Sequence, residues 1–418
     1  MKSDRAFPEP RLGPVDRAFL AMGRHPASDH DLHNVYVLRL PGAPPALGVL
    51  RRHVSERVAS LPELTCRLGV GGRRWTIDSS QEIAGQIDSL TVPPGGVAAL
   101  EGALLGRDLP GCGLWSLTSV HGYSDEEYAL CFSSHHALQD AGAAMHTLRV
   151  LFGTAPDHAC RRFRPLSALQ PVATATVATD LAVSLLPARW AGEGGFACST
   201  ASGRRISGVQ VEGARLHAVA RRTRVSVNDV FVALVASALT KQVGLRALHA
   251  CVPLDLRLRG EQRDGLGNCV GMIRVALPTG GDGPALAAVH RATEHARSSP
   301  YRAALRALHD LSPSRIGMWI TRRLLDARRS QLIASYVTFP WGLAFAGRPV
   351  RDAFALSSPL LGQLCASTLS VFGGRVRVGF VTGKGTPDLH PQCLADTWCE
   401  ELASLESRLG EGLVSDRM

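Results

Sequence analysis

The stretch SSHHALQDAG, residues 133–142, decides how the chain is read. Upstream, "LWSLTSVHG" (114–122) and "YALCFSS" (128–134) are short runs rich in aliphatic, aromatic and β-branched residues, separated by the polar "YSDEE". Two such runs around a turn predict an antiparallel hairpin. The second run is apolar enough to be buried, which puts His135 and His136 at the mouth of a buried strand. "AGAAMHTLRVLFG" (141–153) then predicts a helix ending at Gly153. Adjacent residues at a strand end point to opposite sides, so the two imidazoles do not share one ion, and no H-E-x-x-H is present. No metal is expected. A histidine here suits proton transfer instead, because its pKa lies near working pH.

The 418 residues are 45% hydrophobic and 20% charged, enough to bury a sizeable core and unlike a disordered chain. The formal net charge of +10 favours acidic partners. Lys2, Lys241 and Lys384 are the only lysines, so the basicity is carried by arginine. No basic stripe interleaved with aromatics occurs, and nucleic acid is not expected as a partner. The ten cysteines form no C-x-x-C pair and read as small core residues of a reduced, cytoplasmic protein. "MKSDRAFPEPRLGP" has no apolar leader region, and no run of about twenty apolar residues suggests a transmembrane helix.

Elsewhere, "GPVDRAFLAMG" (13–23) predicts a short helix, "NVYVLRLPG" (34–42) a strand and residues 45–62 a helix. Residues 154–205 are punctuated by proline and glycine and read as a connector. The second half restarts with a strand at 204–212 and a helix from 213. "SVNDVFVALVASALTKQVG" (226–244) predicts a helix that Ser226 caps, with Asp229 in its first turn. Strands are expected at 247–257 and 268–278, helices at 284–297 and 314–328, a hairpin through Gly373-Gly374 and a closing helix near 392–410. The mixture implies an α/β architecture in two halves, 1–160 and 206–418, joined by 161–205. There is no G-x-S-x-G elbow and no Walker A, and "GLGNCVG" (265–271) leads into a strand where a dinucleotide fingerprint needs a helix.

The pattern H-H-x-x-x-D after a hairpin strand resembles the motif of the coenzyme-A-dependent acyltransferase superfamily, and the chain looks most similar to its wax ester synthase/diacylglycerol acyltransferases. "GPVDRAFLAMG" resembles that group's P-x-D-x-x-F-L opening, "LPGCGLWSLTSVHG" its P-L-W strand and "VSVNDVFVALVASAL" its T-V-N-D-V helix. "CVPLDLR" and "GLGNCVGMIRVALPT" resemble its V-P-V-x-x-R and G-N strands. The likeness runs in order from about residue 11 to 410. The residue after the aspartate, usually glycine, is Ala141, with Gly142 next. "SYVTFP" (335–340) keeps little of the group's S-N-x-P-G-P segment, and "TFPWG" (338–342) looks more like the D-F-G-W-G of plant BAHD enzymes and condensation domains.

The resemblance implies a two-lobed fold like that of chloramphenicol acetyltransferase, with mixed sheets flanked by helices and a tunnel between the halves. It implies acyl transfer from a thioester, acyl-coenzyme A or a phosphopantetheinyl carrier protein, to a hydroxyl acceptor, with no bound cofactor. His136 matches the general base and His135 a supporting residue. Asp140 has two readings, orienting His136 or forming a buried ion pair with Arg257. Gly142, Asn228, Asp229, Asn268 and Trp341 are candidates for the substrate channel. Two rivals stay open: a specialised-metabolism enzyme that esterifies or amidates a natural product, and a non-catalytic relative that docks a carrier. Peripheral membrane contact is compatible with either.

Overall fold

The computed structural model describes residues 12–23, 32–154, 170–185, 203–383 and 389–415, apart from gaps at 73, 79–82, 106, 108, 110–112, 245–246, 258–264, 279–285, 328 and 361. Two mixed sheets organise these residues. The first has the order Asp352–Ser357, His33–Pro41, Glu127–His135, Trp115–His121, Ile87–Thr91. The expected hairpin is its centre: Trp115 pairs with Ser134 and Val120 with Ala129, antiparallel. Both faces of Glu127–His135 are covered, which is why its sequence is nearly continuous in apolar residues. The helices Leu47–Ser55 and Ala141–Phe152 pack on one face and Gly96–Leu105 on the other.

The second sheet has the order Arg204–Glu212, Arg375–Gly383, Cys365–Phe372, Leu332–Thr338, Ala247–Asp255, Val270–Pro278. Its core is the helix Val227–Val243, buried almost all round from Val230 to Leu239, with the closing helix Pro391–Ser415 beside it. Each fully buried Leu, Val or Phe there contributes about 1.5–3 kcal/mol. The capping box expected at Ser226 forms: Asp229 N donates to Ser226 Oγ at 3.1 Å and Ser226 N to Asp229 Oδ2 at 3.0 Å.

The halves are not independent in sequence. Leu332–Thr338 and Cys365–Phe372 run parallel, and a parallel pair needs a long crossover connection. Here that connection supplies Asp352–Ser357, which pairs with His33–Pro41 at the edge of the first sheet. The division at 161–205 leaves out this exchange, because the strand lies far from its partners in sequence. The helix Ser299–Leu311, capped by Ser298, is a further element that the expected 284–297 and 314–328 helices do not include. Most of the connector lies outside the described residues, save the helix Pro171–Leu185. Among the described residues no single helix is long and apolar enough to cross a membrane.

Candidate active site

The central strand ends at His135, whose N–H donates to Leu114 O at 2.8 Å, and the next N–H, of His136, donates to Leu32 O at 2.7 Å. A tight turn follows, with Leu138 N donating to His135 O at 2.8 Å. Asp140 then caps Ala141–Phe152 by accepting from Ala143 N at 2.8 Å.

The two imidazoles have different surroundings. His135 is buried, and its Nδ1 accepts from Ala137 N at 3.0 Å. A backbone N–H can only donate, so the proton of neutral His135 sits on Nε2. Burial, with His33 and His136 alongside, pushes its pKa down to about 3. It is a fixed, neutral support for the turn.

His136 stacks on Phe19 with ring centroids 4.0 Å apart and planes 15° apart. Its Nδ1 lies 3.1 Å from Asn268 Oδ1. The amide orientation is settled by its other end: Asn268 Nδ2 donates to His136 O at 2.7 Å and to Asp16 Oδ1 at 2.8 Å. A carbonyl oxygen only accepts, so Nδ2 must face it and Oδ1 must face the ring. Nδ1 therefore carries the proton and Nε2 the lone pair. Burial holds the His136 pKa below its ordinary value, against the bond to its own backbone carbonyl, the charge of Asp140 and the Asn268 bond, which favour the imidazolium. At neutral pH the ring is a base with one open nitrogen.

Asp16 anchors this arrangement. It accepts from Gly13 N at 2.8 Å and Asn268 N at 3.1 Å as well as from the Asn268 amide. Burial pushes its carboxyl pKa up, opposed by these donors. Asp16 and Phe19 had no assigned role from sequence. Their three-residue spacing on a predicted helix was the available signal, because it puts both on one face.

Asp140 takes the ion-pair position. Arg257 Nη1 lies 2.9 Å from Asp140 Oδ2, which also accepts from Cys269 N at 2.6 Å. Those donors hold its carboxyl below the ordinary value. Its carboxylate reaches His136 only as a charge, not through a hydrogen bond. Gly142 serves the same pair: a Cβ there would sit 2.7 Å from Arg257 Nη1. It gives clearance to Arg257, a role different from lining a channel.

Three other candidates are placed elsewhere. Asp229 is 0% exposed and accepts from Thr293 Oγ1 at 2.6 Å and Arg297 Nη1 at 2.7 Å, and it pairs with His290. Those bonds, with the cap, push its pKa down to about 2 and lock the helix; they leave no carboxylate for a channel. Asn228 sits beside it in the same first turn, its Oδ1 buried without a hydrogen-bond partner. Trp341 is 73% exposed in the turn after Leu332–Thr338, where Gly342 O accepts from Thr154 N; its indole faces outward. Asn268 alone of the weaker candidates touches the histidine.

A half-open apolar cavity of about 60 Å³ lies close to this centre. Val15, next to Asp16, and Val270, close after Asn268, are in its wall with Leu256, Leu305, Ile320 and Leu324. The two segments that hold His136 therefore also wall the cavity.

The second half of the chain carries the match to a known family. Residues 266–406 match the WS/DGAT C-terminal domain. The matched part includes Asn268. The whole fold is similar to the wax ester synthase/diacylglycerol acyltransferase of Marinobacter aquaeolei, with TM-score 0.63 and 20% identity over 96% of this chain and 100% of that one. It is also similar to a starter condensation domain of rhizomide synthetase in complex with C8-CoA, at TM-score 0.66 and 14% identity over 96% and 95%. The condensation domain of the Monacolin K polyketide synthase matches with TM-score 0.65 and 11% identity over 95% and 97%. The fold is thus the two-lobed one of WS/DGAT enzymes and condensation domains, as the resemblance implied.

Proposed function

We propose that the chain is an acyltransferase that moves an acyl group from a thioester, acyl-coenzyme A or an acyl carrier, to a hydroxyl acceptor, with His136 as general base. The observation that carries this reading is the clamp on Asn268, which leaves Nε2 of a neutral, partly buried imidazole as the open nitrogen. Nε2 takes the proton from the acceptor hydroxyl as its oxygen attacks the thioester carbon. The C–S bond then breaks, and the proton returns to the leaving thiolate. A thioester is already activated, so no covalent enzyme intermediate is needed. Asn268, Asp16 and Phe19 fix the ring; Asp140 and Arg257 fix the backbone that carries it. The family match over 266–406 favours ester over amide formation.

The test is mass-spectrometric detection of product from a panel of acyl-coenzyme A donors and pooled long-chain alcohols, diacylglycerol and polar hydroxyl acceptors, with His136→Ala alongside. An ester made by the wild type and lost in a folded His136→Ala is expected. Equal turnover by both proteins would exclude His136 as the base. No product with any coenzyme A donor, followed by product with carrier-loaded donors, would assign the donor to a carrier protein.

A further inference from the structure

We propose that Gln139 is a positioning residue for His136, held in place by Thr147 and Glu63. The inference rests on the reading of His136 as the base. Its ground is a seam between the two halves of the chain. Residues 136–140 lie on one side and 265–269 on the other. Leu138 O accepts from Gly267 N at 2.6 Å, Gln139 Nε2 donates to Gly265 O, and Asp140 Oδ2 accepts from Cys269 N at 2.6 Å. Gln139 and Gly267 form a parallel bridge. The far side of the seam carries Asn268, whose Oδ1 faces the His136 ring. A slip along the seam therefore moves Asn268 relative to the imidazole.

The Gln139 tie continues inward. Gly265 O can only accept, so Nε2 of the amide must face it. The second Nε2 proton goes to Thr147 Oγ1 at 2.7 Å, on the helix Ala141–Phe152. A hydroxyl has one proton to give. That of Thr147 goes to Glu63 Oε1 at 2.6 Å, and the alternative acceptor, Ala143 O, is at 3.4 Å. Its lone pairs are thus left for Gln139. All three side chains are buried, Gln139 and Thr147 completely. Glu63 also rests against Gly265, where any Cβ would overlap its carboxylate.

This chain of polar groups runs through an apolar core. Leu138, Ala144, Leu148 and Leu266 belong to the same packed cluster. Gln139 Oε1 is buried without a hydrogen-bond partner among the described residues, which costs stability. A methionine would fill the position without that orphaned acceptor. What glutamine adds is the pair of donors that ties the turn after His136 to the segment bearing Asn268. A local cost kept next to the base marks a functional demand.

The experiment compares variants of the full chain by steady-state kinetics, thermal melting and nitrogen-15 NMR of the His136 imidazole, whose signal is assigned by its loss in His136→Ala. Gln139→Met keeps the length and removes both donors and the orphaned acceptor. Thr147→Val keeps the shape and removes the hydroxyl; Thr147→Ser keeps the hydroxyl and removes a methyl. Gln139→Met and Thr147→Val should lower kcat several-fold at unchanged KM and turn the Nδ1–H ring into a mixture of tautomers. Thr147→Ser should match the wild type in both. A packing role predicts the opposite order, because valine conserves the volume that serine loses. Should Gln139→Met fail to fold, the valine and serine pair decides alone. Wild-type kcat and tautomer in a folded Thr147→Val would overturn the proposal, as would equal losses in Thr147→Val and Thr147→Ser. The NMR signal needs no substrate. A wild type that turns over no donor, with the tautomer still shifting in Thr147→Val and not in Thr147→Ser, would sink the transfer reading and leave the positioning of the ring standing.

Discussion

Replacing Asn268 by alanine tests how the base is prepared. The side chain makes three bonds: it donates to His136 O and Asp16 Oδ1 and accepts from His136 Nδ1. Without it, the buried ring N–H loses its side-chain acceptor and keeps only its own backbone carbonyl, and Asp16 loses one of its donors, at a combined cost of about 1–3 kcal/mol in stability. The ring is then free to move its proton to Nε2, the nitrogen that must stay open. Turnover should fall in proportion to the share of rings that carry the proton on Nε2, a several-fold loss for a mixture of tautomers, with KM little changed. The Asn268 bond favours the charged ring, so its loss lowers the His136 pKa further, and the acid limb of the pH–rate profile should move to lower pH. Nitrogen-15 NMR of the imidazole gives the tautomer without any substrate: Nδ1–H in the wild type, a mixture in the variant. Wild-type turnover in Asn268→Ala, or a wild-type ring protonated on Nε2, would refute the reasoning.

Other substitutions probe the supports. Asp140→Ala leaves Arg257 buried without its main partner and should cost about 3–5 kcal/mol in chemical denaturation; adding Arg257→Met should recover part of that loss. If Asp140→Ala kept full stability and still abolished turnover, a direct role on His136 would replace the structural one. Gly142→Ala pushes a methyl to 2.7 Å from Arg257 Nη1 and should destabilise by about 1–3 kcal/mol, while Ala141→Gly should stay within about 1 kcal/mol. His135 gives a pH test. Its folded pKa, about 3, lies below the ordinary value, so the unfolded chain takes up a proton first as pH falls. Stability should therefore drop between about pH 6.5 and 3, by up to roughly 5 kcal/mol from this group. His135→Gln, which still accepts from Ala137 N, should flatten that slope, and an unchanged slope would contradict the assignment.

Local features were legible in the sequence because their causes are local. The hairpin, the helix from 141 to a glycine stop and the Ser226–Asp229 capping box all follow from period, turn residues and side chains within a few positions of one another. Asp229 shows the limit of that reading. The acid in the first turn was visible, but the Thr293 and Arg297 bonds that fully engage it were not. Trp341 shows it too, since a motif-like neighbourhood says nothing about which way an indole faces.

By itself, then, the sequence determined the mixed architecture and the histidine pair at a strand end, and through the resemblance it offered the Asp140–Arg257 pair as one of two readings. Tertiary structure alone decided which nitrogen of His136 is open. That depends on Asp16 meeting Asn268 across 252 residues, and on Phe19 stacking from the same turn of helix. It also decided that Asp352–Ser357 completes the first sheet. Bonds between residues so far apart leave no periodicity in the chain, because they are selected by how whole sheets and helices pack and not by neighbouring side chains.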